Sequence, residues 1–154
     1  MSSTVKDVVG LVLRLVVGAV LVVAGGIKVD NLGESRQATR AYDLMPVDLA
    51  NFLGSLLPFV EVALGLMLII GLLTRAAAIG SALLLLAFIG AIASAWARGL
   101  TIDCGCFGGG GQVDSQDTRY LQEILRDGAL VIGAIWLVVR PRTRFSLDHR
   151  LWGD

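Results

Sequence analysis

The hydrophobic residues of this chain fall into four long stretches separated by polar segments. The stretches are residues 8–27, 49–73, 76–97 and 120–139, and each is too long for an ordinary core strand. At a rise of about 1.5 Å per residue, about 20 helical residues cross the hydrocarbon core of a bilayer. The last stretch is charged in its first half and apolar in its second. The pattern predicts an all-α integral membrane four-helix bundle, folded as a single domain over residues 1–154.

The composition favours the same class of protein. Apolar residues make up 55% of the chain and charged residues 17%, whereas soluble proteins average about 25% charged residues. The formal net charge is zero, so no general attraction to nucleic acid is expected, and the lipid bilayer is the predicted environment. The first stretch lacks a convincing small-x-small cleavage site, and three more spans follow it; both indicate a retained span and not a removed secretory signal.

The distribution of basic residues predicts the orientation in the plasma membrane. Four spans put both termini on one side, and that side collects six basic residues against five on the other. A cluster of arginines also follows the last span directly, in the sequence RPRTR. The positive-inside rule therefore favours cytoplasmic termini and an extracytoplasmic segment 98–119. The six are Lys6, Arg75, Arg140, Arg142, Arg144 and Arg150; the five are Lys28, Arg36, Arg40, Arg98 and Arg119.

Both cysteines of the chain lie in that segment, in the sequence TIDCGCFGGGG. A disulfide between Cys104 and Cys106 would close a very small ring, in which the preferred dihedral near 90° is hard to reach. Strained, exposed disulfides are the labile or catalytic ones. Gly105 between the two sulfurs removes a Cβ atom that would obstruct the turn. We therefore predict a redox-active pair.

Two other interpretations of the cysteines stay open at this point. Two thiolates can supply half of a zinc site, but a closed site needs four ligands. The single histidine, His149, is on the opposite side of the membrane in the predicted topology, so no metal site is assigned. The remaining alternative is a pair of inert thiols.

Three short sequences carry a resemblance to a known family. They are GGIK at 25–28, PFVEVALGLMLIIG at 58–71 and DCGCFG at 103–108. Together with the four spans they resemble the DoxX/MauE family, and most of all its MauE-like members, over nearly the whole chain. The resemblance implies a role in extracytoplasmic disulfide chemistry beside a thioredoxin-fold, DsbA-like partner.

A functional analogy extends this expectation to a membrane quinone. Four-helix thiol oxidases such as DsbB and the vitamin K epoxide reductases pass electrons from a soluble dithiol to quinone through a second cysteine pair. This chain has one pair, so the partner either meets Cys104 and Cys106 directly or the electrons do not reach quinone. We predict a thiol–disulfide oxidoreductase, with quinone as the candidate cofactor. The alternative is a non-enzymatic membrane anchor or assembly subunit with a structural disulfide.

Charged residues within the predicted spans are a further signal, since each costs at least about 2.5–3.5 kcal/mol at the bilayer centre. Counted from the predicted helix ends, Arg14 lies about 9 Å and Glu61 about 18 Å from the cytoplasmic face. An arginine side chain suits that gap, so we predict a structural ion pair between them. Lys28 is expected to extend its ammonium to the membrane surface from the end of the first span.

Arg126 follows the cysteine segment, near the start of the fourth span. A cation close to the thiols would favour the reactive thiolate, and it could hold a reduced quinone oxygen. We therefore place Arg126 in the catalytic site with Cys104 and Cys106. The alternative is a weak contact with Glu123 one turn earlier.

Overall fold

The computed structural model describes residues 3–100, 102–103, 111–112, 120–140 and 150. Within these residues the protein is all-helical apart from one pair of short antiparallel strands. The elements are α1 (Ser3–Asp30), α2 (Leu32–Ala41), α3 (Val47–Ile70), α4 (Thr74–Ala97), β1 (Ile102–Asp103), β2 (Gly111–Gln112) and α5 (Tyr120–Val139).

Three of the helices are long and apolar enough to cross a membrane, as the hydrophobic pattern predicted. They are residues Thr4–Asp30 of α1, and all of α3 and α4. Helix α5 has the predicted bounds, but three charged residues fall within its first eight positions. Five large apolar side chains of α5 are exposed, as expected for contact with lipid: Leu121, Leu125, Ile132, Ile135 and Val139. The fourth span, and with it the four-helix bundle, stays a prediction.

Helix α1 buries one narrow face against its neighbours. Its buried positions include a series with alternating spacings of four and three residues, as in a left-handed helix-packing seam. Two basic residues, Arg14 and Lys28, lie on this seam together with Val17 and Leu21. The complete series is Gly10, Arg14, Val17, Leu21, Ala24 and Lys28.

Glycines set the register between α1 and the antiparallel α3. A methyl group on Gly65 would lie 2.6 Å from the carbonyl oxygen of Gly18, and one on Gly25 would lie 2.7 Å from that of Pro58. Real side chains do not tolerate such distances, so these glycines allow the two backbones to touch. The contacts place Gly18 beside Gly65, and Gly25 beside Pro58 and Glu61.

Helix α2 lies in the polar segment between the first two predicted spans, where the sequence analysis predicted no helix. The side chain of Asn31 caps the helix by accepting a hydrogen bond from the Glu34 backbone N–H at 3.4 Å. This Asn-x-x-Glu spacing is a known start signal for helices. Because α2 is polar, it lacks the hydrophobic pattern of a span; it buries only Ser35 and Ala38 as it packs on α3.

A proline in α3 explains where α2 packs. Pro58 has no N–H, so the carbonyl of Gly54, four residues earlier, loses its helical hydrogen bond. The Ser35 hydroxyl of α2 donates to that carbonyl at 2.5 Å and is buried. Gly54 also lacks the Cβ atom that would collide with the α2 backbone, where it would lie 2.7 Å from the Cα of Arg36. One proline and one glycine therefore create the site on α3 where α2 packs.

The opposite end of the molecule is closed by the turn between α3 and α4. Gly71 ends α3 in the left-handed conformation, with φ of 75°, a backbone state that glycine adopts without steric cost. Close to this turn, the Arg75 side chain donates to the carbonyl of Val138 at 3.1 Å, which ties the start of α4 to the end of α5. The main apolar core lies between these ends; its buried members are Val17, Leu21, Leu68, Ala77, Ala78, Leu85, Leu130, Val131 and Leu137.

We predict that Ser35 and Pro58 are energetically coupled. Ser35→Ala should lower the free energy of unfolding by about 1–3 kcal/mol, because it leaves a buried carbonyl without a donor. In a Pro58→Ala background residue 58 regains an N–H for the Gly54 carbonyl, so the same serine substitution should cost much less. The measurement is a double-mutant cycle of unfolding free energies in detergent micelles.

Ser81→Ala is the matched control for this cycle. Ser81 is also buried, but its hydroxyl donates at 2.7 Å to the Ala77 carbonyl within its own helix. That carbonyl keeps its backbone hydrogen bond when the hydroxyl is removed, so the loss should be small. An equal cost of Ser35→Ala with and without Pro58 would contradict the coupling.

Candidate functional site

The two cysteines fall outside the described residues, but the chain on each side of them is placed. Strands β1 and β2 pair antiparallel, with Ile102 opposite Gln112 and Asp103 opposite Gly111. Residues 103 and 111, which flank segment 104–110, therefore lie side by side. Strand β2 also contacts α2.

Polar contacts hold the surrounding elements together at the same end of the molecule. The Arg98 guanidinium donates to the carbonyls of Tyr42 and Asp43, joining the end of α4 to the segment after α2. The Tyr120 hydroxyl, at the start of α5, donates to the carbonyl of Leu100. We call this region, formed by α2, the end of α4, the strand pair and the start of α5, the cysteine end.

A buried ion pair lies between α1 and α3. The Lys28 Nζ atom is 2.9 Å from Oε1 of Glu61 and 3.2 Å from Oε2. Lys28 is 8% exposed and Glu61 is fully buried. These contacts correct two expectations: the partner of Glu61 is Lys28 and not Arg14, and the Lys28 ammonium does not extend to the membrane surface.

Helix register is the physical reason for the different partner. Glu61 lies beside Gly25, and the Lys28 side chain reaches back by one turn because helical side chains point toward the helix N-terminus. The same register places Arg14 level with the end of α3, about 15 Å along the helix axis from Glu61. Arg14 is itself buried, but at the α3–α4 turn end of the molecule.

A second charged pair extends the cluster into α5. Arg126 Nη2 and Nε both lie 3.1 Å from Oδ1 of Asp127, and Asp127 is 2% exposed. Asp127 is also close enough to interact electrostatically with Lys28 and Glu61. The Lys28–Glu61 pair and the Arg126–Asp127 pair thus lie within electrostatic reach of each other. Sequence reasoning missed Asp127, although it lies on the same helical face as Leu130 and Leu137.

Lys28 also lines a cavity of about 280 Å³ between α1, α2, α3 and α4. The walls are mostly aliphatic or aromatic, and a few polar side chains from α2 and the following turn complete them. The cavity is partly open at the surface of the helices. Its lining residues are Lys28, Ser35, Ala38, Thr39, Tyr42, Leu44, Met45, Leu53, Leu57, Leu84, Ala87, Phe88 and Ala91.

The ammonium group has hydrogen-bonding capacity left on the cavity side. A lysine carries three N–H donors, and the two carboxylate oxygens of Glu61 are the acceptors of the Lys28 ammonium. Among the described residues no other hydrogen-bond acceptor contacts Nζ, which instead lies 5.1 Å from the centroid of the Phe88 ring. The sequence analysis expected the Lys28 ammonium at the membrane surface, and nothing in the sequence indicated Phe88.

We predict that Lys28 and Glu61 stabilise the fold as a pair. Lys28→Met or Glu61→Leu alone should each cost about 3–5 kcal/mol of unfolding free energy, because each leaves an uncompensated buried charge. The double variant should cost far less than the sum. Unfolding free energies in detergent provide the measurement.

The control is Arg36→Met, which removes an exposed cation whose Nε donates to the Ser55 hydroxyl at 2.7 Å. Its effect should be small, because exposed polar contacts contribute little to stability. Single and double effects that simply add would show that the two side chains do not stabilise each other.

Comparison with known proteins adds one finding. No curated protein and no solved structure matches the chain significantly. A family model described as methylamine utilisation protein MauE matches residues 6–140, from the first turn of α1 to the residue after α5. Together with the three apolar helices, this match indicates a membrane protein of a redox or electron-transfer system. The chain belongs to the MauE family.

Proposed function

We propose that this protein is a membrane thiol–disulfide oxidoreductase whose Cys104–Cys106 pair reacts with an extracytoplasmic thioredoxin-fold partner. The observation that supports the proposal is the antiparallel pairing of β1 with β2, the two strands that flank segment 104–110 in the chain. Strand β2 contacts α2, and this MauE-family chain has no other cysteines. A tightly bracketed segment that contains both thiols suits exchange with an external dithiol.

The exchange follows ordinary disulfide chemistry. A thiolate of the partner attacks one sulfur of the Cys104–Cys106 disulfide, which breaks the S–S bond and forms a mixed disulfide. The second partner thiolate then attacks the mixed disulfide. The partner leaves oxidised, and Cys104 and Cys106 are left as two thiols. Reoxidation of the pair transfers two electrons and two protons to a membrane quinone, which becomes a quinol.

We assign Arg126 a supporting role near the thiols. It lies in the second turn of α5, just after the cysteine segment, with a third of its side chain exposed. A cation in this position lowers the energy of a thiolate. Its partial neutralisation by Asp127 limits the effect.

The proposed orientation is supported most strongly by the positions of the basic residues. Lys6, Arg75 and Arg140 lie at the end of the helices opposite the cysteine end, and the RPRTR sequence continues from Arg140. Cytoplasmic termini therefore go together with an extracytoplasmic cysteine segment, where disulfides persist.

The proposal predicts first that Cys104→Ser and Cys106→Ser each lose thiol exchange. Each variant should abolish oxidation of a reduced thioredoxin-fold protein by the purified membrane protein, because a single sulfur cannot form the intramolecular disulfide. With the oxidised partner, the remaining thiolate of one variant should open the partner's disulfide, which forms a mixed disulfide and releases one partner thiol. Mass spectrometry detects this mixed disulfide. Ser94→Cys in a cysteine-free background would show whether any thiol at the same end suffices.

The anchor or assembly-subunit hypothesis gives the opposite result. In that case Cys104→Ser leaves oxidation of the partner unchanged, and small thiols barely reduce the native disulfide. Either result would eliminate the oxidoreductase proposal.

Accessibility of the cysteines tests the orientation. After mild reduction of intact cells, a membrane-impermeant maleimide should label Cys104 or Cys106. The Cys104→Ser/Cys106→Ser double variant is the control, since all labelling should then disappear. Labelling that requires permeabilised membranes would place the cysteine segment in the cytoplasm and reverse the orientation.

A further inference from the structure

We propose that the cavity beside Lys28 binds the ring of a membrane quinone, with the Lys28 ammonium donating a hydrogen bond to a ring carbonyl oxygen. The inference rests on the proposed function only in that the quinone accepts the electrons of the cysteine pair. It locates the acceptor between α1, α2, α3 and α4, and not at Arg126, which does not line the cavity.

Size and lining favour a planar, apolar ring. The volume of about 280 Å³ is at the lower end of the range of about 300–1,000 Å³ for small-molecule pockets. Leu53, Leu57 and Leu84 supply aliphatic walls, and Phe88 and Tyr42 supply aromatic ones. Three of the contributing helices are candidate membrane spans, so a ligand dissolved in the bilayer can enter through the open side of the cavity.

Charge selects among the ligands that a membrane offers. The cation of Lys28 is already neutralised by Glu61 at 2.9 Å, so an anionic phosphate headgroup would meet a neutral site. A neutral carbonyl oxygen adds no charge when it binds at this ion pair, and the remaining N–H of Lys28 can donate a hydrogen bond to it. A lipid acyl chain would fill the apolar part but would leave this donor unused.

The location suits electron transfer from the cysteine segment. Helix α2 lines the cavity through Ser35, Ala38 and Thr39, and the same helix contacts strand β2 beside the segment. The cavity and the ends of the segment therefore lie at the same end of the molecule. On reduction the quinone takes two electrons and two protons to become a quinol, while two cysteine thiols become a disulfide.

Direct binding is the test, and it needs no turnover. The wild-type protein in detergent is titrated with decyl-benzoquinone, and a photoreactive azido-benzoquinone is crosslinked and mapped by mass spectrometry. Ala91→Phe should weaken binding at least tenfold, because the new ring occupies the cavity while the ion pair stays intact. Lys28→Met should weaken it by about tenfold, the typical effect of losing a hydrogen bond to a charged donor.

Matched controls separate this effect from general damage. Ala93→Phe adds the same ring on an exposed position of α4, and Lys6→Met removes the other lysine of α1 at its opposite end. Both should bind the quinone like wild type. Since Lys28→Met also removes the partner of Glu61, the Ala91→Phe result decides the case if Lys28→Met does not fold.

Several outcomes would overturn the inference. They are wild-type affinity in Ala91→Phe, crosslinks confined to α5 around Arg126, and displacement of the quinone by dioleoyl phosphatidylglycerol or by palmitate at equal concentration. The two proposals fail separately. Quinone binding in a Cys104→Ser variant tests the cavity alone, whereas oxidation of the partner by one equivalent of disulfide, without quinone, tests the thiol exchange alone.

Discussion

The buried ion pair between Lys28 and Glu61 is the interaction on which the rest of this structure depends. Two charges inside apolar helices are tolerated only where they meet at hydrogen-bonding distance. That requirement is met at the register of α1 against α3 that the close contacts of Gly25 and Gly65 set, in which Gly25 lies beside Glu61. The pair also brings a basic group to the wall of the cavity, so one contact connects the packing of the spans with the chemistry of the candidate site.

Helix α2 depends on a second constraint, the missing N–H of Pro58. In a bilayer every backbone carbonyl needs a hydrogen-bond donor. Pro58 leaves the Gly54 carbonyl without its helical donor, and the Ser35 hydroxyl donates to it from outside the helix. A local defect in α3 therefore becomes the attachment point of a polar helix. Because α2 then lines the cavity and contacts β2, the proline indirectly positions β2, which follows the cysteine segment in the chain, relative to the cavity.

Much of this architecture could be read from the sequence, and the limits have physical causes. Hydrophobic length alone predicted α1, α3 and α4, since only a membrane requires about 20 apolar residues in a row. It could not predict α2, because a polar amphipathic helix that rests on other helices carries no such signal; only the Asn31–Glu34 capping pattern marked it. The sequence also did not show which basic residue pairs with Glu61. Arg14 and Lys28 lie on the same buried face of α1, and the choice between them depends on a register set by close contacts.

The same reasoning explains why the site divides into two parts of different character. The thiols are known from the sequence alone, as a closely spaced pair in a glycine-rich stretch, and it is this pattern that predicts reactivity. The buried charges can be found only from the helix packing: Asp127 stands next to Arg126 in sequence, yet it acts on Lys28 and Glu61 from a third helix. The pairing of each buried carboxylate with a neighbouring cation lowers the cost of burying them, and it leaves a hydrogen-bond donor of Lys28 beside an apolar cavity.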